Sequence, residues 1–170
     1  KGAEKKTVSG RTVYGGGGIA PDVEVKAPTI SSARGRLQRK MMDPIFSFVL
    51  DLVYGDNKGF AEYSVNRPIE YQYDIKAKDF PITPRIFNSF KRYATTKFKF
   101  SKKQIENEKE FVKRMLRSEF VTAAYGSQTA YQVYNEYDPQ LQKAIELFPE
   151  AEKLAIRGAK AFAAKRIEEK

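Results

Sequence analysis

Apolar and β-branched residues alternate with polar ones in two short runs near the start of the chain, TVSGRTVY over residues 7–14 and DVEVK over residues 22–26. This pattern predicts two short strands, joined by GGGGIAP. Two strands alone are marginal in water, so neither is expected to stand by itself. After APTISSARG the apolar period changes to three or four and stays there to the C-terminus, which predicts helices. The change falls between residues 28 and 35. The fold class is therefore mainly α, with an N-terminal β-hairpin over residues 1–30 and a multi-helix domain over residues 31–170.

A cap residue followed by proline marks three helix starts, because the first helical N–H has no intrahelical partner to lose. Asp43-Pro44 is expected to open MMDPIFSFVLDLVYG, apolar on most sides and stopped near Gly55, hence a buried helix. Thr83-Pro84 opens TPRIFNSFKRYATTKF, with Ile86, Phe87, Phe90, Tyr93 and Ala94 on one face. Asp138-Pro139 opens DPQLQKAIELF, with Leu141, Ala144, Ile145 and Phe148 at core spacing. Ser101 and Gln104 have capping-box spacing and lead into the longest periodic stretch, whose stripe is Ile105, Val112, Met115, Leu116, Phe120 and Ala123. Val133, Tyr134 and Tyr137 extend it past Gly126. A last helix from about Pro149 is expected to turn Leu154, Ala155, Gly158, Ala161 and Phe162 inward. Residues 59–82, broken by Pro68 and Pro81, read as loop with at most a short strand or helical turn.

Composition narrows the chemistry. Of 170 residues, 41% are hydrophobic and 13% aromatic, ample for a core. Histidine and cysteine are both absent, which removes disulfides, Cys or His zinc sites, cysteine nucleophiles and Ser-His-Asp triads from this chain. No cofactor and no metal site is expected. Lys plus Arg (31) less Asp plus Glu (21) leaves +10, which suits contact with any anionic partner and selects none. No apolar run approaches the roughly 20 residues of a membrane span. The chain begins with Lys rather than Met, so it reads as a piece of a longer protein whose export signal would lie elsewhere.

The glycine run admits three readings: a phosphate cradle, a linker, or a structural turn of something larger. A cradle needs its glycines to lead straight into a helix, and here Ile19, Ala20, Pro21 and Asp22 follow, then a strand. A linker needs polar low-complexity flanks, which these are not. The flanking residues favour the third reading. Gly10, Arg11, Tyr14, Gly17, Gly18, Ile19, Pro21 and Asp22 stand in GRTVYGGGGIAPDVEV, residues 10–25. This stretch resembles the segment that closes the protease core in the carboxyl-terminal processing peptidases, or tail-specific proteases. The helical stretch FVKRMLRSEFVTAAYGSQTAYQVYNEYDPQLQKAIELFPEAEKL is similar to the helical tail of longer bacterial members, through Asp138-Pro139-Gln140-Leu141, Lys143-Ala144, Ala151 and Leu154.

The resemblance implies an exported serine endopeptidase with a Ser nucleophile and a Lys general base, cutting proteins near their C-termini in the periplasm or cell envelope. It also implies upstream catalytic and PDZ domains in the same protein, and protein or peptide substrates. In the family the lysine lies in a K-G-[ST]-like motif well upstream of the Gly-Arg pair, and only nine residues precede Gly10 here. Lys1-Gly2 is followed by Ala3 and lies too close, so no catalytic residue is assigned to this chain. Ser9 falls in a strand, Ser31 and Ser32 in the boundary loop, and Ser101 in a helix cap. The fragment is expected to be non-catalytic: the last hairpin of the protease core plus a helical domain that is structural, substrate-positioning or dimerising. Arg11 and Asp22 are within reach of an ion pair across the strands; an exposed Arg and a loop-ending Asp are the alternative.

A reading from a different class is a basic helical nucleic-acid-binding module. RGRLQRK (residues 34–40) and KFKFSKK (residues 97–103) set positive charge beside Phe98 and Phe100, the composition that grips single strands. The aromatics fit helix periodicity and no recognised binding motif accompanies them, so no nucleic acid partner is expected.

Overall fold

In the computed structural model the described residues are 2–7, 10, 12–15, 21–55 and 59–168, the side chains of 165, 166 and 168 excepted. They form strands β1 (Glu4–Lys6) and β2 (Thr12–Tyr14), then helices α1 (Ser32–Val53), α2 (Pro84–Phe98), α3 (Lys102–Asn107), α4 (Lys109–Tyr125), α5 (Ser127–Asn135), α6 (Pro139–Glu146) and α7 (Phe148–Glu168). The architecture is mainly helical with a small N-terminal hairpin, as the change of period predicts. It divides into two compact units, residues 29–137 and residues 1–28 with 138–170.

The 29–137 unit is built on α1 and α4. Helix α1 begins at Ser31, whose hydroxyl accepts from the Arg34 N–H at 3.3 Å, and Pro44 lies inside it. The expected start at Asp43-Pro44 is therefore wrong. A proline inside a helix costs about 3 kcal/mol in isolation. Here Leu37, Met41, Ile45, Phe48 and Leu52 form one stripe that runs past Pro44, and burial of that stripe outweighs the lost hydrogen bond. On α2, Thr83 caps the Ile86 N–H, and Ile86, Phe87, Phe90 and Ala94 are buried as predicted. Ser101 and Gln104 make the full capping box. The periodic stretch that follows is two helices, broken at Glu108, and its stripe Ile105, Val112, Met115, Leu116 and Phe120 is buried.

Aromatic edges lock these helices together. Phe48 meets Phe90 at 5.6 Å and Tyr93 at 5.3 Å between ring centroids, both edge-on. Phe120 packs on Tyr63 at 4.9 Å and on Phe80 at 5.6 Å, so the link over residues 59–82 supplies core side chains although it is irregular apart from the 3-10 turn Ala61–Tyr63.

Where the irregular link packs on the helices, its backbone must still be satisfied. Side chains from α4 and α5 do so: Arg117 Nη2 donates to Lys76 O at 3.0 Å and its Nε to Asp79 O at 3.3 Å. Gln132 accepts from the Ile75 N–H at 3.1 Å and donates to Tyr73 O at 2.9 Å. Tyr73 also stacks on Tyr125 with centroids 4.0 Å apart. Its hydroxyl is pushed up to about 12, first by its hydrogen bond with Tyr125 and then by burial.

In the other unit the strands differ from expectation. Antiparallel pairing joins Glu4 with Tyr14, Lys5 with Val13 and Lys6 with Thr12, and Thr7 and Gly10, both within the expected first strand, lie outside the two strands. Residues 22–26 form no strand. Gly10 explains the shift. It holds φ +80 and donates its N–H to Thr7 O at 2.9 Å, closing a short turn that only glycine enters without strain. A short loop costs less closure entropy than one spanning the glycine run, which favours the Glu-Lys-Lys partner despite its low β-propensity.

Candidate functional site

The unit formed by residues 1–28 and 138–170 carries a groove of about 590 Å³. One wall is the extended segment at residues 21–25, beginning at Pro21 and Asp22. Its other wall comes from α6 and the first turns of α7, through Ala144, Leu147, Ala151 and Leu154.

Local sequence sets this geometry. Asp138 Oδ1 accepts from the N–H groups of Gln140 at 2.8 Å and Leu141 at 3.2 Å, and Pro139 takes the first helical position. With α6 started there, Gln140 reaches the extended segment and donates through Nε2 to Val25 O at 3.2 Å. Residues 21–25 of the first resembling stretch and residues 140–154 at the end of the second thus line one groove.

Of the eight family-motif positions, Gly10 sits in the β1–β2 turn and Tyr14 ends β2, exposed. Pro21 and Asp22 line the groove. Arg11, Gly17, Gly18 and Ile19 lie outside the described residues, as does the Arg11 side of the expected ion pair with Asp22.

The apolar residues of α6 and α7 are not core. Leu141, Ile145, Phe148, Leu154 and Phe162 are all exposed, Phe148 at 67% and Phe162 at 59%. The expectation that helical spacing turns them inward is therefore wrong, because no layer covers them among the described residues. Sequence reasoning also missed that residues 21–25 would serve as a groove wall. Pro21 was the available signal, because it biases the chain toward extended geometry without supplying a strand partner.

The chemistry of the groove is that of a binding surface. Lys143 is its lysine, and a Ser-Lys dyad needs a lysine whose ammonium is destabilised. Lys143 moves the other way: the hydrogen bond from its Nζ to Glu146 Oε2 at 2.9 Å holds its pKa above the ordinary value. The Ser31 and Ser101 hydroxyls are engaged as helix caps.

The features behind the nucleic-acid reading are also placed. Lys97 pairs with Asp51 at 3.4 Å and lies 4.4 Å from the centroid of the Tyr93 ring. Phe98 packs against that same ring, with centroids 5.9 Å apart.

Residues 95–148 match the family model described as "Probable PDZ-protease, C-terminal helical domain". The match runs from the last turn of α2 to the start of α7, and so takes in α3, α4, α5 and α6. It is consistent with a fragment of a C-terminal processing protease, the family that the glycine motif resembles. No curated protein and no solved structure matches the chain.

Proposed function

We propose that the chain is the C-terminal helical portion of an exported serine endopeptidase that uses a Ser/Lys dyad and cuts proteins near their C-termini. The observation that carries this reading is the order of two signals: GRTVYGGGGIAPDVEV at residues 10–25, then the protease-associated helical domain at residues 95–148. The dyad and a PDZ module lie in the upstream part of the same protein, which works in the periplasm or cell envelope. The helical portion itself is non-catalytic. Its 29–137 unit is a rigid scaffold, and the uncovered faces of α6 and α7 suit a structural, substrate-positioning or dimerising role beside the catalytic core.

The test is to extend the reading frame upstream of Lys1 and assay the longer polypeptide against a soluble protein carrying an unstructured C-terminal tail. The longer polypeptide should contain a K-G-[ST]-like motif and shorten the tail, and replacing that lysine should abolish cleavage. The 170-residue chain alone should cleave nothing. A longer frame without the motif, or cleavage that survives loss of the lysine, refutes the dyad.

A further inference from the structure

The two basic stretches at residues 34–40 and 97–103 meet within the 29–137 unit as opposite sides of an open groove of about 420 Å³. Leu37 from α1 and Phe98 and Phe100 from the end of α2 provide apolar surface in it. Arg36, Lys40 and Lys99 add three cations, and no carboxylate lines the groove. The two sides are tied together. Glu108 accepts from Arg34 Nε at 2.7 Å and from Gln38 Nε2 at 2.6 Å, which binds the first turns of α1 to the α3–α4 junction.

The three cations of the groove have no carboxylate beside them in it. Several cations of the unit meet carboxylates: Lys91 with Glu106 at 2.9 Å, Lys97 with Asp51 at 3.4 Å, Lys113 with Glu110 at 3.6 Å, and Arg117 with Glu136. Among the described residues Arg36, Lys40 and Lys99 form no ion pair. Lys99 is also held at φ +62 as the left-handed cap of α2, where glycine is the residue without backbone penalty. In exchange for that penalty, its side chain brings a third unneutralised cation to the groove.

We propose that this groove binds an extended acidic segment of a partner protein, its carboxylates meeting Arg36, Lys40 and Lys99 and an apolar side chain seated on Leu37, Phe98 and Phe100. Complementary charge selects the segment, and the apolar surface sets its register. A nucleic acid fits less well. Single-strand binding needs free aromatic faces, and here Phe98 is packed on Tyr93 while Phe100 is half-buried against the core. The inference rests on the groove alone and does not depend on the protease reading.

The test titrates the 170-residue chain at low ionic strength with three fluorescent probes: a peptide alternating Glu with Leu and Phe, the same peptide with Gln for every Glu, and an oligothymidylate. The Glu peptide should bind at least about tenfold tighter than either of the others. A Lys40→Gln/Lys99→Gly double variant should weaken it by about tenfold with its helical circular dichroism unchanged. Lys99→Gly relieves the positive φ, so lost binding in that variant is not lost folding. No binding of the Glu peptide, equal binding of the Gln peptide, indifference to the double variant, or tighter binding of the oligothymidylate each overturns the proposal.

Discussion

Helices α4 and α7 carry comparable amphipathic patterns and meet different fates. Helix α4 buries Val112, Met115, Leu116, Phe120, Val121 and Ala124 against α1, α5 and the irregular link over residues 59–82. Helix α7 leaves Leu154 46%, Ile156 48%, Phe162 59% and Ile167 77% exposed. A helical stripe records which side would be buried; burial itself needs a second layer. In the 29–137 unit that layer exists because the link contributes Tyr63 and Phe80, while Arg117 and Gln132 satisfy its backbone. No described element does the same for α7.

The largest expected effect tests this contrast directly. Phe120→Ala should destabilise the 29–137 unit by about 4 kcal/mol in urea unfolding, because the ring is fully buried between Tyr63 and Phe80. Phe162→Ala should change stability by no more than about 0.5 kcal/mol. If the two losses were comparable, α7 would be covered in solution, and the concentration dependence of the unfolding midpoint would reveal a second copy.

A smaller effect comes from the junction of α3 and α4. Burial alone would push the Glu108 carboxyl up, but hydrogen bonds from Arg34 and Gln38 and the Arg34 charge overcome it and hold it below the ordinary 4.5. Glu108→Ala should cost about 2 kcal/mol, a loss moderated by the half-exposed Arg34. Because the folded pKa lies below the unfolded one, this stabilisation is complete above pH 4.5 and is lost as the pH falls through the lower folded value. The wild-type chain should therefore lose stability with acid more steeply than the variant, measured as urea midpoint against pH.

Next in size is the start of α6. Asp138→Ala removes the acceptor of two backbone N–H groups and should cost about 1 kcal/mol. Since α6 has no buried side chain to hold it, the readout is faster proteolysis near residue 138 with the 29–137 unit intact. Smallest, and of opposite sign, Lys99→Gly should stabilise the chain by up to about 1 kcal/mol through relief of the positive φ. A loss instead would mean that the Lys99 side chain contributes to the fold.

Much of this protein was settled by local chemistry. Ser101 with Gln104, Thr83 before Pro84 and Asp138 before Pro139 mark helix starts because cap and proline act within one turn, and all three stand where the residues place them. The stripes of α2 and α4 were equally legible, as was the glycine motif with its protease resemblance. Tertiary structure decided what depends on distant partners. Pro44 lies inside α1 because the stripe from Leu37 to Leu52 found a core to enter. Gly10 moved the hairpin to residues 4–14, and the extended segment at residues 21–25 became a groove wall instead of a strand. The apolar face of α7 stayed in water, and two basic stretches sixty residues apart came together around one groove. Periodicity specifies a face within a few turns of chain, and only the packed fold supplies what that face meets.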